Sequence, residues 1–207
     1  MYDCADPASR AEGLKAAALA LRTGELVVLP TDTVYGIGAD AFYPSAVMAL
    51  LAAKGRARDM PPPVLVGTVR AASALIEDLG PYGQDLIDEF WPGGLTIVCR
   101  ANRSLNWDLG DTRGTVAIRM PLHPVTLELL KETGPLAVSS ANISGHPTCR
   151  SGIEVFGMMD GRVDLVIDGG ACSGAGATTV DVTEPVWKLI KQGAITEKEI
   201  AECLQSL

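Results

Sequence analysis

The chain has 207 residues, 47% of them hydrophobic, which is enough apolar material for one domain with a sizeable core. Its formal net charge of −8 argues against a protein that binds nucleic acid over a broad basic surface. The sequence has no apolar run of 18 residues and no basic leader, so we expect a cytoplasmic protein without a membrane span. The 5 cysteines are scattered, which favours reduced thiols over a disulfide framework or a zinc site.

Apolar periodicity, capping residues and turn residues predict the order of the elements. Helices are expected over residues 14–21, 44–53, 70–79, 82–90 and 124–132, and after the capping pairs Ser9 with Glu12, Ser151 with Glu154 and Thr196 with Glu199. Strands are expected over residues 25–30, 64–66, 95–99, 115–119, 136–139, 165–168, 178–182 and 186–190. Because helices and strands are mixed without strict alternation, we predict a single α/β or α+β domain with a twisted, mixed sheet flanked by helices.

The first polar segment follows a buried strand at residues 30–36, Pro-Thr-Asp-Thr-Val-Tyr-Gly. The polar end of such a strand lies at the rim of the sheet, where ligands of open α/β sheets commonly bind. Thr and Asp also favour helix caps and turns, and taken alone this segment fits a cap or a turn better than a ligand site.

The second segment, Lys54-Gly55-Arg56-Ala57-Arg58, places three of the 17 basic residues in five positions at the end of a predicted helix. A helix C-terminus suits one cation, but it does not explain the two arginines that follow. Arginine forks and a lysine ammonium suit phosphate groups. The alternative is a solvated face, and it fits Arg58 better than Lys54 or Arg56.

Two further strands end in polar residues. Arg119 ends the apolar strand 115–119, where it needs either an acidic partner or an anionic ligand, and a structural salt bridge is an equal alternative. Residues 139–145, Ser-Ser-Ala-Asn-Ile-Ser-Gly, offer hydroxyl and amide groups that can bind phosphate or carboxylate. A serine nucleophile is disfavoured because the chain has only two histidines and no Gly-x-Ser-x-Gly elbow.

The usual nucleotide-binding motifs are missing. The sequence has no Gly-x-x-x-x-Gly-Lys-[Ser/Thr] loop. Residues 36–41, Gly-Ile-Gly-Ala-Asp-Ala, match part of a dinucleotide fingerprint but lack its last glycine. A nucleotide site in this chain would therefore be built differently.

In this order the segments resemble the YrdC-like family of threonylcarbamoyl-AMP synthases, in its single-domain form. The resemblance rests on residues 29–37, Lys54-Gly55-Arg56, Trp91-Pro92-Gly93-Gly94-Leu95-Thr96, residues 116–121 and Ser140-Ala141-Asn142-Ile143-Ser144-Gly145. It runs from about residue 12 to residue 195. It implies a concave, positively charged cavity and synthesis of L-threonylcarbamoyladenylate and pyrophosphate from ATP, L-threonine and bicarbonate or CO2. It further implies that the product serves the N6-threonylcarbamoyl modification of adenosine 37 in tRNAs that read ANN codons.

The resemblance also implies residue roles. Lys54 and Arg56 would be catalytic. The ATP-binding residues would be Lys54, Arg56, Thr115, Ser140, Asn142, Thr148 and Lys191. The threonine-binding residues would be Thr33, Gly67, Arg119, Val138 through its backbone, and Thr178. No dedicated metal site is expected, because Mg²⁺ should be carried by the ATP phosphates.

The resemblance implies partners too, namely downstream tRNA threonylcarbamoyl-transfer proteins and weak contact with tRNA. One alternative is an RNA-binding module, associated with tRNA or ribosomes, that lacks adenylating activity. Another is a carbamoyl-transfer domain like that of hydrogenase-maturation proteins. The acidic charge balance counts against the first, and the absence of zinc-finger-like segments from the sequence counts against the second.

Overall fold

The computed structural model describes residues 1–159 and 161–205. The helices are α1 (Pro7–Arg22), α2 (Pro44–Lys54), α3 (Val69–Leu75), α4 (Gly83–Phe90), α5 (Pro124–Thr133), α6 (Gly152–Met158) and α7 (Glu197–Gln205). The strands are β1 (Tyr2–Asp3), β2 (Val27–Leu29), β3 (Gly36–Asp40), β4 (Val64–Leu65), β5 (Ile76–Asp78), β6 (Leu95–Ala101), β7 (Thr115–Arg119), β8 (Leu136–Ser140), β9 (Leu165–Asp168), β10 (Thr178–Asp181) and β11 (Lys188–Lys191).

The strands form one mixed sheet within the described residues, which confirms the predicted fold class. Its order is β1-β9-β2-β3-β8-β4-β7-β6-β10-β11, with β5 paired to β6. Strands β2, β3, β8 and β4 are successive antiparallel neighbours, whereas β4 runs parallel to β7 and β6 runs parallel to β10. The first and last strands, β1 and β11, therefore lie at opposite edges of the sheet.

The core lies on both faces of the sheet. Successive side chains of a strand point to opposite faces, so Val27 and Leu29 pack on one side and Val28 on the other. The Val27 side is covered mainly by α1 and α5, and the Val28 side receives buried residues of α2, α4, α6 and α7. In the part of the chain that the structure describes, no helix has the length and apolar character to cross a bilayer.

Several local predictions are wrong at element ends. Helix α1 begins at Pro7, and Asp6 caps it by accepting a hydrogen bond from Ser9 N at 2.7 Å, so Ser9 lies inside the helix. The helix predicted over 70–79 ends at Leu75, because the next residues pair with β6 as β5. Strand β11 is Lys188–Lys191 rather than 186–190. The caps at Ser151 and Thr196 are confirmed.

The glycine-rich residues 36–40 form a central strand that was not predicted. Strand β3 pairs with β2 on one side and with β8 on the other. A Cβ atom at Gly36 would lie 2.5 Å from Val138 Cγ1, so glycine is needed for close packing against the neighbouring strand. The partial dinucleotide fingerprint therefore reflects strand packing and not a phosphate loop.

Candidate functional site

A cavity of about 270 Å³ lies over the sheet. It is lined by seven of the predicted site residues, Thr33, Arg56, Arg119, Val138, Ser140, Thr148 and Lys191. The other five, Lys54, Gly67, Thr115, Asn142 and Thr178, are not among the residues that line it. Its lining includes three cations and, within the described residues, no carboxylate, so the cavity suits an anionic ligand.

Arg56 reaches the cavity because helix α2 ends just before it. Gly55 adopts the left-handed conformation at the helix end, with φ of 65°, and Arg56 N donates to Leu51 O at 2.9 Å. The Nε atom of Arg56 is buried and has no hydrogen-bond partner within the described residues. A buried guanidinium nitrogen without a partner is costly, so this side chain is suited to an anionic oxygen supplied by a ligand.

Lys54 lies behind the cavity wall and is only 1% exposed. Its ammonium group donates to Asn142 Oδ1 at 2.8 Å and to the carbonyl oxygens of Ser140 and Asn142. Burial, followed by the nearby charge of Arg56, lowers the pKa of Lys54 to about 8. Lys54 thus supports the 140–142 turn, and its direct contact with phosphate stays a prediction.

The 140–142 turn presents one hydroxyl to the cavity. Ser140 lines the cavity and its Oγ donates to Asn142 Oδ1 at 2.7 Å. The Asn142 amide is itself occupied, because Nδ2 donates to His146 O at 2.6 Å. Asn142 therefore holds the turn together from behind, and its direct contact with ATP remains a prediction.

Arg119 and Thr33 form a second polar corner of the cavity. Arg119 is 6% exposed and donates to Asp32 Oδ1 at 2.6 Å, to Thr33 Oγ1 at 2.9 Å and to Gly93 O at 2.8 Å. Burial lowers the pKa of the guanidinium, and the Asp32 carboxylate opposes that shift. These bonds use three of the five guanidinium N–H groups, so two remain for a ligand. Arg119 has the acidic partner that its strand position requires.

Thr178 is placed behind the wall and not in the cavity. Its Oγ1 donates to Ile195 O at 2.6 Å and accepts from Gly193 N and Ile195 N. The hydroxyl is thereby used to fix the loop before α7, so the structure does not bring this side chain to the predicted threonine site. Its neighbour Thr179 lines the cavity instead.

Gly67 also lies away from the cavity. It packs against α5, where an added Cβ would be 3.0 Å from Leu130 Cβ and 3.2 Å from Lys131 N. A glycine here permits the close approach of the helix, which is a packing reason for this residue type. Its predicted role in threonine binding gains no support from this position.

Thr115 lines a neighbouring pocket of about 190 Å³. This pocket also contains Pro61, Pro62 and Leu109, and Thr115 Oγ1 donates to Thr112 O at 2.8 Å. Thr115 and Arg119 share one face of β7, so the pocket and the cavity lie along the same strand. Arg119 follows Thr115 by four residues, and four residues of a strand span about 13 Å, so the two residues lie about 13 Å apart along β7.

Arg58 is occupied outside the cavity. Its guanidinium makes two hydrogen bonds to the Asp108 carboxylate, at 3.0 and 2.8 Å, and lies 3.5 Å from Asp111 Oδ1. Arg58 therefore forms surface ion pairs with Asp108 and Asp111, which agrees with the solvated face that the sequence favoured for this residue.

Some residues at or beside the cavity were not identified from the sequence. Asp32, which holds Arg119, stood in the first polar segment, but nothing in the spacing linked it to Arg119, 87 residues away. Thr96 and Thr179 line the cavity. Thr96 follows the Gly-Gly turn, a position that could have drawn attention to it, whereas Thr179 carries no sequence signal.

Comparison with known proteins gives consistent matches. The Sua5/YciO/YrdC family model, described as telomere recombination, matches residues 19–193. A Mycobacterium tuberculosis protein provisionally named threonylcarbamoyl-AMP synthase is 50% identical over 204 residues, with 98% of this chain and 94% of that protein covered. The Bacillus subtilis threonylcarbamoyl-AMP synthase is 37% identical over 188 residues, with 89% and 54% covered.

A solved structure matches the fold as well. Sua5 of P. abyssi complexed with L-threonine superposes with a TM-score of 0.88 at 34% identity. The match covers 92% of this chain and 57% of the P. abyssi chain, so this chain spans little more than half of that protein. The family model and these relatives together show that the chain belongs to the Sua5/YciO/YrdC family.

Proposed function

We propose that this protein is an L-threonylcarbamoyladenylate synthase, which makes threonylcarbamoyl-AMP and pyrophosphate from L-threonine, bicarbonate or CO2, and ATP. The observation that carries the proposal is a single cavity that contains the unpaired Arg56 guanidinium and, separately, the Thr33–Arg119 corner. Two such groups suit the binding of a phosphate and of an amino-acid carboxylate in one cavity. The names of the relatives point to the same reaction and not to an RNA-binding module.

In this proposal the substrates occupy different parts of the cavity. The threonine carboxylate pairs with the two free N–H groups of Arg119, next to Thr33 and the Val138 backbone. The ATP phosphates lie at Arg56, Ser140, Thr148 and Lys191. The pocket at Thr115 takes the nucleoside, since it lies on the same face of β7 as Arg119. Lys54 and Asn142 act from behind by holding the 140–142 turn.

The chemistry consists of two bond-forming steps. The threonine amine is first converted by CO2 or bicarbonate into a carbamate. A carbamate oxygen then attacks the α-phosphate of ATP, so that a new P–O bond forms while the bond to pyrophosphate breaks. Both reactants and the leaving group are anionic, so orientation and charge stabilisation by Arg56 are the main contributions of the protein. Magnesium enters as MgATP, as this ion usually binds through phosphates.

The proposal extends to the setting of the reaction. The chain acts as a single domain in the cytoplasm, and downstream tRNA threonylcarbamoyl-transfer proteins consume its product for N6-threonylcarbamoylation of adenosine 37 in ANN-decoding tRNAs. Contact with tRNA, if made, is weak because the net charge is −8.

The test is an incubation of the purified protein with ATP, threonine and ¹³C-labelled bicarbonate, followed by mass spectrometry. The expected product is a labelled threonylcarbamoyl-AMP, with pyrophosphate released only when threonine is present. A folded protein that gives neither product refutes the proposal. Tight RNA binding at 200 mM salt without ATP turnover would favour the RNA-binding module instead.

A further inference from the structure

Two threonine hydroxyls in the cavity have no hydrogen-bond partner in the part of the chain that the structure describes. Thr96 and Thr179 both line the cavity, and Thr96 is only 4% exposed. Neither hydroxyl makes a hydrogen bond to another group within residues 1–159 and 161–205. Neither oxygen is among the buried atoms without a partner, so both hydroxyls are open to the cavity and available to a polar ligand.

The strand register places these hydroxyls in a row with two cations. Thr179 pairs with Thr96 of β6 on one side and with Lys191 of β11 on the other. Ile97 pairs with Ile118, so continuing the antiparallel register by one pair brings Thr96 opposite Arg119 of β7. The row across the four strands is therefore Arg119, Thr96, Thr179 and Lys191, and all four line the cavity.

The order of the row matches the order of the parts of the proposed product. Neighbouring strands are about 4.8 Å apart, so the backbone positions of Thr96 and Thr179 lie roughly 5 and 10 Å from that of Arg119 along the row. In threonylcarbamoyl-AMP the carbamoyl group joins the amino acid to the α-phosphate. A carboxylate held at Arg119 and a phosphate chain near Lys191 would leave the carbamoyl group between them, beside the two hydroxyls.

We infer that Thr96 and Thr179 form the binding site for the CO2-derived carbamate group, an inference that rests on the proposed function. The planar carbamate has two oxygens, and one of them can accept hydrogen bonds from both adjacent hydroxyls, which leaves the other oxygen free. Neutral donors hold this anion without the strong ground-state stabilisation that a cation would give, and the carbamate must still react as a nucleophile. The carbamate oxygen that is not held attacks the α-phosphate, and pyrophosphate leaves with the electron pair of the broken bond.

The test uses Thr96→Val and Thr179→Val, which remove each hydroxyl at nearly constant volume. The apparent KM for bicarbonate is measured in CO2-depleted buffer with threonine and ATP saturating. We expect this KM to rise on the order of tenfold for each lost hydroxyl, because the bond is made to a charged group. The KM values for threonine and ATP should change much less.

Conservative variants and a control separate binding from folding. Thr96→Ser and Thr179→Ser keep the hydroxyl and should keep a bicarbonate KM near that of the original protein, even if a valine variant fails to fold. Thr133→Val is the matched control, since its hydroxyl bonds to the carbonyls of Leu129 and Gly134 at the end of α5, away from the cavity lining. It should leave all three KM values unchanged.

Three results would overturn the inference. An unchanged bicarbonate KM in both valine variants would mean that the hydroxyls do not contact this group. A rise confined to the threonine KM would mean that they bind the side-chain hydroxyl of the amino acid. Failure of the unmodified protein to make threonylcarbamoyl-AMP would refute the proposed function, and this inference with it.

Discussion

Replacing Lys54 with methionine removes one buried charge and the four hydrogen bonds of the ammonium while keeping most of the apolar stem. Within the described residues, Asn142 O then loses its single donor, whereas Ser140 O keeps the N–H of Asn142 and Asn142 Oδ1 keeps the Ser140 hydroxyl. One orphaned carbonyl and two weakened acceptors outweigh the relief of desolvation, so we expect a loss of about 2–3 kcal/mol in the free energy of unfolding. For a chain of this size that lowers Tm by roughly 4–10 °C.

The assay is urea unfolding of the original protein, Lys54→Met and Arg56→Met. The sequence alone predicts that both positions affect ATP use much more than stability, and burial of Lys54 changes that prediction for Lys54 only. Arg56 makes no ion pair within the described residues, so Arg56→Met should unfold at the same urea concentration as the original protein. An unchanged midpoint for Lys54→Met would refute the supporting role that its hydrogen bonds indicate.

The remaining predictions concern pH and three other positions. Since the folded pKa of Lys54, about 8, lies below the ordinary value of 10.5, the unfolded chain binds more protons between these two values. The stability difference between the original protein and Lys54→Met should therefore grow from pH 8 to pH 10, and a constant or shrinking difference would contradict the lowered pKa. Arg119→Lys should raise the KM for threonine at least tenfold in steady-state assays, because the planar fork is lost; an unchanged value would break the carboxylate assignment. Gly67→Ala should lower the unfolding free energy by about 1–3 kcal/mol through overpacking and leave the threonine KM unchanged; a raised KM in a stable variant would place Gly67 at the substrate. Arg58→Ala should leave the KM for ATP within twofold of the original, and a larger rise would bring Arg58 into the site.

Most elements could be predicted from local patterns because those patterns have local causes. Strand β2 is a continuous apolar run, and α2 begins with proline and ends at a glycine with φ of 65°. Strand β3 was missed because its two glycines lower strand propensity, and only tertiary packing explains them, of Val138 against Gly36 and of Leu29 against Gly38. The packing of Val138 depends on β8, about 100 residues later in the chain.

The site was predictable in residue type but not in arrangement. The polar strand ends marked Thr33, Arg119 and Ser140, and the cationic helix end marked Arg56. All four line the cavity. Whether a residue faces the cavity or supports it from behind depends on long-range contacts. Lys54 ends helix α2 and Arg56 follows it two residues later. Lys54 is nevertheless buried against the 140–142 turn, whereas Arg56 lines the cavity.

The most direct measurement compares threonylcarbamoyl-AMP formation by the original protein and by Arg56→Met, using ATP, threonine and labelled bicarbonate with detection by mass spectrometry. If the cavity is the adenylating site, the original protein makes the labelled product and Arg56→Met makes it at least 100-fold more slowly while its urea midpoint is unchanged, as expected for the loss of a preorganised charge contact. Equal rates for the two proteins would contradict the assignment of the phosphates to Arg56.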